Sequence, residues 1–290
     1  MYRHHRNHHH LWLAQQGTHL VQHQRLNLAC RQAPIGRVIL GPQPSAAVLL
    51  LEIAIRTAKD VPPEPPPPPP PPSIISDGLV LHFDIANPAC YPGSGLAFTD
   101  LSSSANHGTL TGPTNIADGA INFDGTTNLT TTNLISNPQS FTIGVWFRTS
   151  AALGRKLIGL ESSQIGGSSS YDRHFYVDAA GQLRWGVWSP GASTFLYGNV
   201  TDNQWRYAVV AFNAGAMLLS MNGQVIGNVS AASQPFDGYW RIGGQSLNGW
   251  PSAAAGFFVG SVAAVEIYNR PLVIAEIEQN FNINRGRFGL

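Results

Sequence analysis

Charge is what this chain of 290 residues has least of. Asp, Glu, Lys and Arg together make up 11% of it, against about 25% in an average soluble domain. Gly, Ser, Thr and Asn take their place, which suits strands joined by tight turns and argues against a phosphate-binding surface dense in Arg and Lys. Cysteine is nearly absent: Cys30 and Cys90 are the only two, so a disulfide-framed scaffold is excluded and both are expected as thiols. The longest apolar run, Ala46–Leu51, is far too short to cross a bilayer. The basic start, Met1–His10, has no apolar stretch behind it, so a signal peptide is not expected and synthesis in the cytoplasm is. There is no Gly-x-Ser-x-Gly elbow, no phosphate loop and no Cys/His zinc spacing.

Proline is concentrated instead. Pro62, Pro63 and Glu64 run into eight consecutive prolines, Pro65–Pro72. With φ fixed and no amide donor, such a run adopts polyproline II, a stiff spacer of about 34 Å at about 3.1 Å per residue. It separates two unlike pieces. Residues 1–61 carry seven Lys/Arg, two acids and seven of the ten histidines; residues 73–290 carry ten Lys/Arg and thirteen acids. The first piece is too poor in apolar groups to make a core alone, and reads as an anchoring or assembly region that orders on a partner. Trp12, flanked by Leu11 and Leu13, is its candidate anchor, with Arg37 and Arg56 as charged contacts. His4, His5, His8, His9 and His10 either bind metal or form a solvated basic arm. Val48–Arg56 fits a strand or one helical face.

From residue 73 the pattern is β throughout. Leu79–Asp84, Ala120–Phe123 and Phe141–Arg148 alternate, the last with Phe141, Ile143, Val145 and Phe147 on one face. His174–Val177 and Gln182–Trp188 flank a turn. Trp205–Phe212 is almost continuously apolar, Asn222-Gly223 closes a hairpin, and Phe257–Tyr268 is a last strand. Pro271–Phe281 alone reads as helix. Short strands at this spacing predict a mainly β, two-sheet antiparallel sandwich with a short C-terminal helix.

Five segments, in order, give this region its resemblance to the concanavalin A-like jelly-roll domains of the laminin-G type: Asp84–Gly95, Thr99–Thr109, Phe123-Asp124-Gly125, Phe141–Arg148 and Gly260–Leu272. Residues 280–290 also resemble the endings of such domains in tailed-phage structural proteins. The resemblance implies a jelly-roll over residues 73–290 and a virion setting. The family carries Asp-Glu where this chain has Ala263-Ala264, and often Asp where it has Asn128, which weakens a calcium site. Asp100, Asn106 and Asp124 remain as candidate ligands. Asp100 and Asn106 can equally cap a tight loop by bonding its own backbone.

Glycosidases on this fold need two carboxylates flanking the scissile bond. Glu161, Asp172 and Glu266 stand alone, and Glu276 and Glu278 do not share a helical face, so catalysis is not expected. Binding is. Tyr239, Trp240, Asn248 and Trp250, with Trp188, Tyr197 and Tyr171 in other loop-rich stretches, supply rings and amides of the kind that grip a sugar. Trp250, between Gly249 and Pro251, is expected in solvent, and Trp146 and Trp205 in the core; His82, His107 and His174 are expected to pack. The expectation is a virion accessory protein, a capsid decoration or fibre subunit. Residues 1–61 would hold other virion proteins, residues 62–72 would be the spacer, and a lectin domain would touch polysaccharide or cell-surface glycan. It would be homo-oligomeric for avidity, with no nucleic-acid partner. A cement protein without sugar binding and a bacterial surface lectin are the alternatives.

Overall fold

The computed structural model describes residues 73–213, 215–254 and 256–290. Trp12, Cys30, Arg37, Arg56, the histidine tract and the proline run lie outside the described residues.

The strands, in chain order, are β1 (Leu79–Asp84), β2 (Ala97–Phe98), β3 (Gly108–Thr111), β4 (Ile116–Ala117), β5 (Ala120–Asp124), β6 (Asn128–Thr131), β7 (Ser140–Arg148) and β8 (Arg155–Glu161). They continue with β9 (Tyr171–Val177), β10 (Gln182–Trp188), β11 (Ala192–Asn199), β12 (Arg206–Asn213), β13 (Ala216–Met221), β14 (Gln224–Ser230), β15 (Tyr239–Ile242) and β16 (Val259–Tyr268). Among the described residues a helix, α1 (Ile274–Asn284), and a 3-10 turn, Arg285–Phe288, follow the last strand.

They form two antiparallel sheets. The first runs β14-β13-β12-β7-β16-β5-β4, with β1 beside the second half of β16; the second runs β11-β10-β9-β8-β15-β6-β3-β2. The sandwich with a short C-terminal helix expected from the alternation is thus the fold. Between the sheets lie Phe141, Ile143, Val145 and Phe147 of β7 with Leu160, Phe175, Trp185 and Trp240 of the second sheet. The Asn222-Gly223 hairpin turns with both residues at positive φ, 50° and 77°, as the two-residue turn requires.

β7 is buried on both faces because α1 covers the outer face of the first sheet. Trp146 stacks there on Tyr207 (5.0 Å), Phe281 (5.7 Å) and Phe288 (4.2 Å). Ala263 and Ala264 lie in the same cluster; an Asp-Glu pair there would sit in an apolar layer. Trp205, expected in the core, is only half-buried, against Phe288 and under Arg148.

One polar network crosses this layer. The buried Asn280 of α1 donates through Nδ2 to Glu266 Oε2 (2.9 Å) and to Tyr268 Oη (2.8 Å), and its Oδ1 accepts the Ile75 N–H (2.9 Å). Tyr207 Oη donates to Glu266 Oε2 (2.7 Å), Tyr268 Oη to the Ile75 carbonyl (3.0 Å), and Gln279 Nε2 to the Ser73 carbonyl (2.9 Å). The described chain therefore begins fastened to α1, on the helix-covered face of the first sheet.

Gly144 faces this network, and a Cβ there would come within 2.6 Å of Tyr207 Oη. Gly144→Ala displaces the tyrosine and its bond to Glu266, and is expected to lower stability by about 1–3 kcal/mol; urea denaturation measures it.

Candidate functional site

The outer face of the second sheet carries a different surface. His174 and Tyr176 of β9 are wholly buried, because the loop between β15 and β16 folds back over them and sets Leu247 and Trp250 on the sheet. Two tyrosines tie that loop down. Tyr176 Oη donates to the Pro251 carbonyl (2.8 Å) and Tyr171 Oη to the Asn248 carbonyl (3.0 Å). The loop turns at Gly249 (φ 83°), and Trp250 packs edge-on to His174 at 4.6 Å and tilted against Trp188 at 5.8 Å. Gly186 lacks the Cβ that would come within 2.5 Å of the Trp250 ring.

This arrangement leaves a pocket of about 210 Å³ lined by Ser169, Tyr171, Trp188, Gln234, Asn248 and Trp250. Trp188 and Tyr171 are half-buried and Asn248 and Ser169 exposed, so rings form its walls and amide and hydroxyl groups its rim. A larger depression of about 500 Å³ runs beside Tyr91, Ile116 and Asp118. Its one aromatic, Tyr91, is nearly buried and stacked on Phe98 at 4.8 Å, so its ring is already covered.

A buried carboxylate ties two pocket walls together. Asp172, 0% exposed, accepts the Trp188 N–H on Oδ1 (2.9 Å) and the Gln234 N–H on Oδ2 (2.7 Å). Arg173, at a left-handed φ of 59°, pairs with it at 3.4 Å. Burial pushes the Asp172 carboxyl up to about 6, even though Arg173 and the backbone N–H groups draw it down.

A second buried cluster holds the neighbouring loops. Glu161, 0% exposed, pairs with Lys156 through Oε1; its Oε2 accepts Arg241 Nη1 (2.8 Å), Ser168 Oγ (2.9 Å) and Ser246 Oγ (3.1 Å). Burial would raise Glu161, but Lys156 and Arg241 outweigh it and hold the carboxyl below its ordinary range. Lys156 is pushed down to about 8 by burial despite Glu161. His174, beside this cluster, is held far below its usual range by burial and by Lys156 and Arg173, so it is a neutral imidazole.

The structure thus gathers Trp188, Asn248, Trp250 and Tyr171 into one place and separates the rest. Trp240 points into the inter-sheet core, 2% exposed, 5.9 Å from Phe141. Tyr239 sits one residue earlier on β15, and Tyr197 lies on the edge strand β11 against the core. Trp250 is 4% exposed, not in solvent: its flanking Gly and Pro make the turn that presses the ring onto His174 and Tyr176. Gln234 and Ser169 were not singled out by sequence, since neither stands in a motif and the turns that deliver them are formed by Asp172 and Glu161. Those two acids stand alone in sequence, but both are buried and ion-paired.

The candidate calcium ligands do not form a cation site. Asp100 accepts four donors: the N–H groups of His82 (2.8 Å), Ser102 (2.9 Å) and Asn106 (2.9 Å), and Ser102 Oγ (2.7 Å). Asn106 Oδ1 accepts the Asn133 N–H (2.8 Å). Asp124 caps its own turn through Thr126 N–H (2.8 Å), at the end of β5 in the other sheet. Donor hydrogens already surround the oxygens a hard cation needs. Among the described residues no group of three or more His, Cys, Asp or Glu is placed to hold a metal, and no helix is long and apolar enough to cross a membrane.

Comparison with known proteins bears on the fold. A family model described as the concanavalin A-like lectin/glucanases superfamily, of laminin-G type, matches residues 123–278. Curated protein sequences give no match. Among solved structures, the binding domain of Paraclostridial Mosquitocidal Protein 1 is similar at TM-score 0.53 and 17% identity, over 71% of this chain and 52% of that one. The binding domain of Botulinum Neurotoxin DC in complex with SialylT is similar at TM-score 0.54 and 14% identity, over 72% and 52%. Trypanosoma rangeli sialidase in complex with sialic acid is similar at TM-score 0.55 and 16% identity, over 83% and 39%. The chain thus spans about half or less of the length of these chains, and the likeness is one of fold.

Proposed function

We propose, because this chain belongs to the concanavalin A-like lectin/glucanases superfamily, that it is a carbohydrate-binding display protein whose site is the Trp188–Trp250 pocket. The observation that carries this reading is the pocket itself: two indoles, a phenol and two side-chain amides around about 210 Å³. An aromatic face takes the C–H face of a pyranose, and amides and hydroxyls bond its hydroxyls. The neurotoxin domain in complex with SialylT and the sialidase in complex with sialic acid present glycans on related folds. No catalytic role is proposed, since Glu161, Asp172 and Glu266 are all buried and engaged.

The setting we infer is a virion surface, with residues 1–61 as anchor to other virion proteins, the proline run as spacer, and several copies displayed together. It is supported by the basic first piece, the stiff run and the phage-like ending. It is supported too by the placement of Ser73 on the helix-covered face, since the pocket opens on the opposite sheet. A domain fastened on one face and binding on the other suits display.

Trp188→Ala is the test, because Trp188 is half-buried and its loss spares the core, whereas Trp250→Ala would also strip His174 and Tyr176 of cover. On a glycan array the full-length protein is expected to bind, and Trp188→Ala to lose at least about tenfold in affinity. A folded protein that binds no glycan would move the reading to a cement protein.

A further inference from the structure

We propose that this pocket takes a single uncharged sugar ring at the end of a glycan chain and discriminates against acidic sugars. The inference rests on the carbohydrate reading above and specifies its ligand class.

Among the described residues the lining carries hydroxyls, amides and rings, and no Lys, Arg or His. A sugar carboxylate leaving water needs a fixed cation or several convergent N–H donors to offset its lost hydration. The cations packed around the pocket already have carboxylate partners. Arg173 pairs with Asp172 and also bonds the carbonyls of Pro138 (3.0 Å) and Gln234 (3.1 Å) and Ser233 Oγ (3.1 Å). Lys156 and Arg241 share Glu161, and Arg184 pairs with Asp178 at 2.7 Å. The charge directly behind two pocket walls is that of Asp172, which accepts the N–H groups of both Trp188 and Gln234. Among the described residues an incoming anion therefore meets a buried carboxylate and no free cation.

Size sets the rest. A volume of about 210 Å³ lies below the roughly 300–1,000 Å³ of pockets that hold drug-sized ligands. It admits one ring, with the remaining glycan leaving past the exposed Asn248 and Ser169. The loop between β15 and β16, held by Tyr171 and Tyr176, supplies Asn248 and Trp250 to this small pocket.

The test is a titration of the full-length protein, followed by tryptophan fluorescence and calorimetry at pH 7. The probes are methyl glycosides of glucose, galactose, mannose and N-acetylglucosamine, set against the methyl glycosides of glucuronate and N-acetylneuraminate. At least one neutral glycoside is expected to saturate, the acidic ones to bind at least about tenfold more weakly, and Trp188→Ala to abolish the neutral binding. Gln234→Lys keeps the backbone N–H to Asp172 while placing a cation in the wall, and is expected to close most of the gap between neutral and acidic probes. An acidic glycoside that binds as tightly as any neutral one, and is lost in Trp188→Ala, would overturn the ligand class and leave the site standing. Neutral binding indifferent to Trp188→Ala, or no binding of any probe by a folded protein, would overturn the carbohydrate reading of this pocket itself.

Discussion

Glu161→Ala is expected to destabilise the domain by about 3–5 kcal/mol, enough to unfold a marginally stable sandwich. The reason is not the loss of an attraction alone. Glu161 is 0% exposed, and its removal leaves Lys156 and Arg241 buried side by side without a counter-charge. It also frees Ser168 and Ser246, which bring the loops beside the pocket onto β8. A buried pair is a poor source of net stability when intact but costly when halved, so the triple replacement Lys156→Met, Glu161→Leu and Arg241→Met is expected to recover most of the loss. Chemical denaturation at pH 7 reads both. A single variant as stable as the parent would show that the cluster is hydrated and mobile rather than sealed.

The second large effect is the contribution of Glu266 to the pH dependence, which runs opposite to ordinary acid denaturation. Glu266 is buried against Tyr207 and Asn280 with no cation in contact, and its Oε1 has no partner among the described residues. Burial pushes its carboxyl up to about 7, outweighing the bonds from Tyr207 and Asn280 that favour the ion. An unfolded glutamate titrates near its ordinary 4.5. Between those values Glu266 in the folded state holds a proton that the unfolded chain has released. While His174 and His82, both lowered by burial, contribute a slope of the opposite sign below their ordinary 6.5, the contribution of Glu266 to stability therefore falls as pH rises from about 4.5 to 7 and stays lower above that. The difference amounts to as much as about 3 kcal/mol. Asp172, raised to about 6, adds a slope of the same sign at the lower end of this window. Glu266→Gln keeps the shape and an acceptor for Tyr207 without the charge. It is expected to raise stability at pH 8 and to remove the falling component between pH 5 and 7, so that the variant's advantage over the parent grows with pH across that range. Melting curves across that range would show an unchanged slope if Glu266 were ionised in the fold.

The fold was legible because the alternation in β1, β5, β7, β9 and β10 is local: each face of a strand is written in every second residue. The helix was equally plain, from Ile274, Ile277 and Phe281. What escaped was whatever depended on a second layer. β15 holds only four residues, and Tyr239-Trp240 looks like a loop until β8 and β6 are seen on either side of it. Trp250 looks exposed between Gly and Pro because sequence does not say that Gly186 leaves a hollow for its ring. Acids such as Glu161 and Asp172 look isolated because Arg241, Ser246 and the Gln234 N–H come from other strands and loops, and Lys156, on β8 with Glu161, stands five residues away. Four of the six pocket residues could be named from their chemistry, as could the bonds of Asp100 to Ser102 and Asn106, made within a few residues. Ser169 and Gln234 needed the fold.

The most direct test of the central claim follows the indole N–H resonances of the full-length protein while a glycan that scores on the array is added. Of the chain's seven tryptophans, Trp188 and Trp250 line the pocket, Trp146, Trp185 and Trp240 are sealed elsewhere, Trp205 is half-buried, and Trp12 lies outside the described residues. A saturable shift of the Trp188 and Trp250 signals, with Trp146, Trp185 and Trp240 unmoved, is the predicted result. Saturable binding that leaves both pocket indoles unmoved would contradict it.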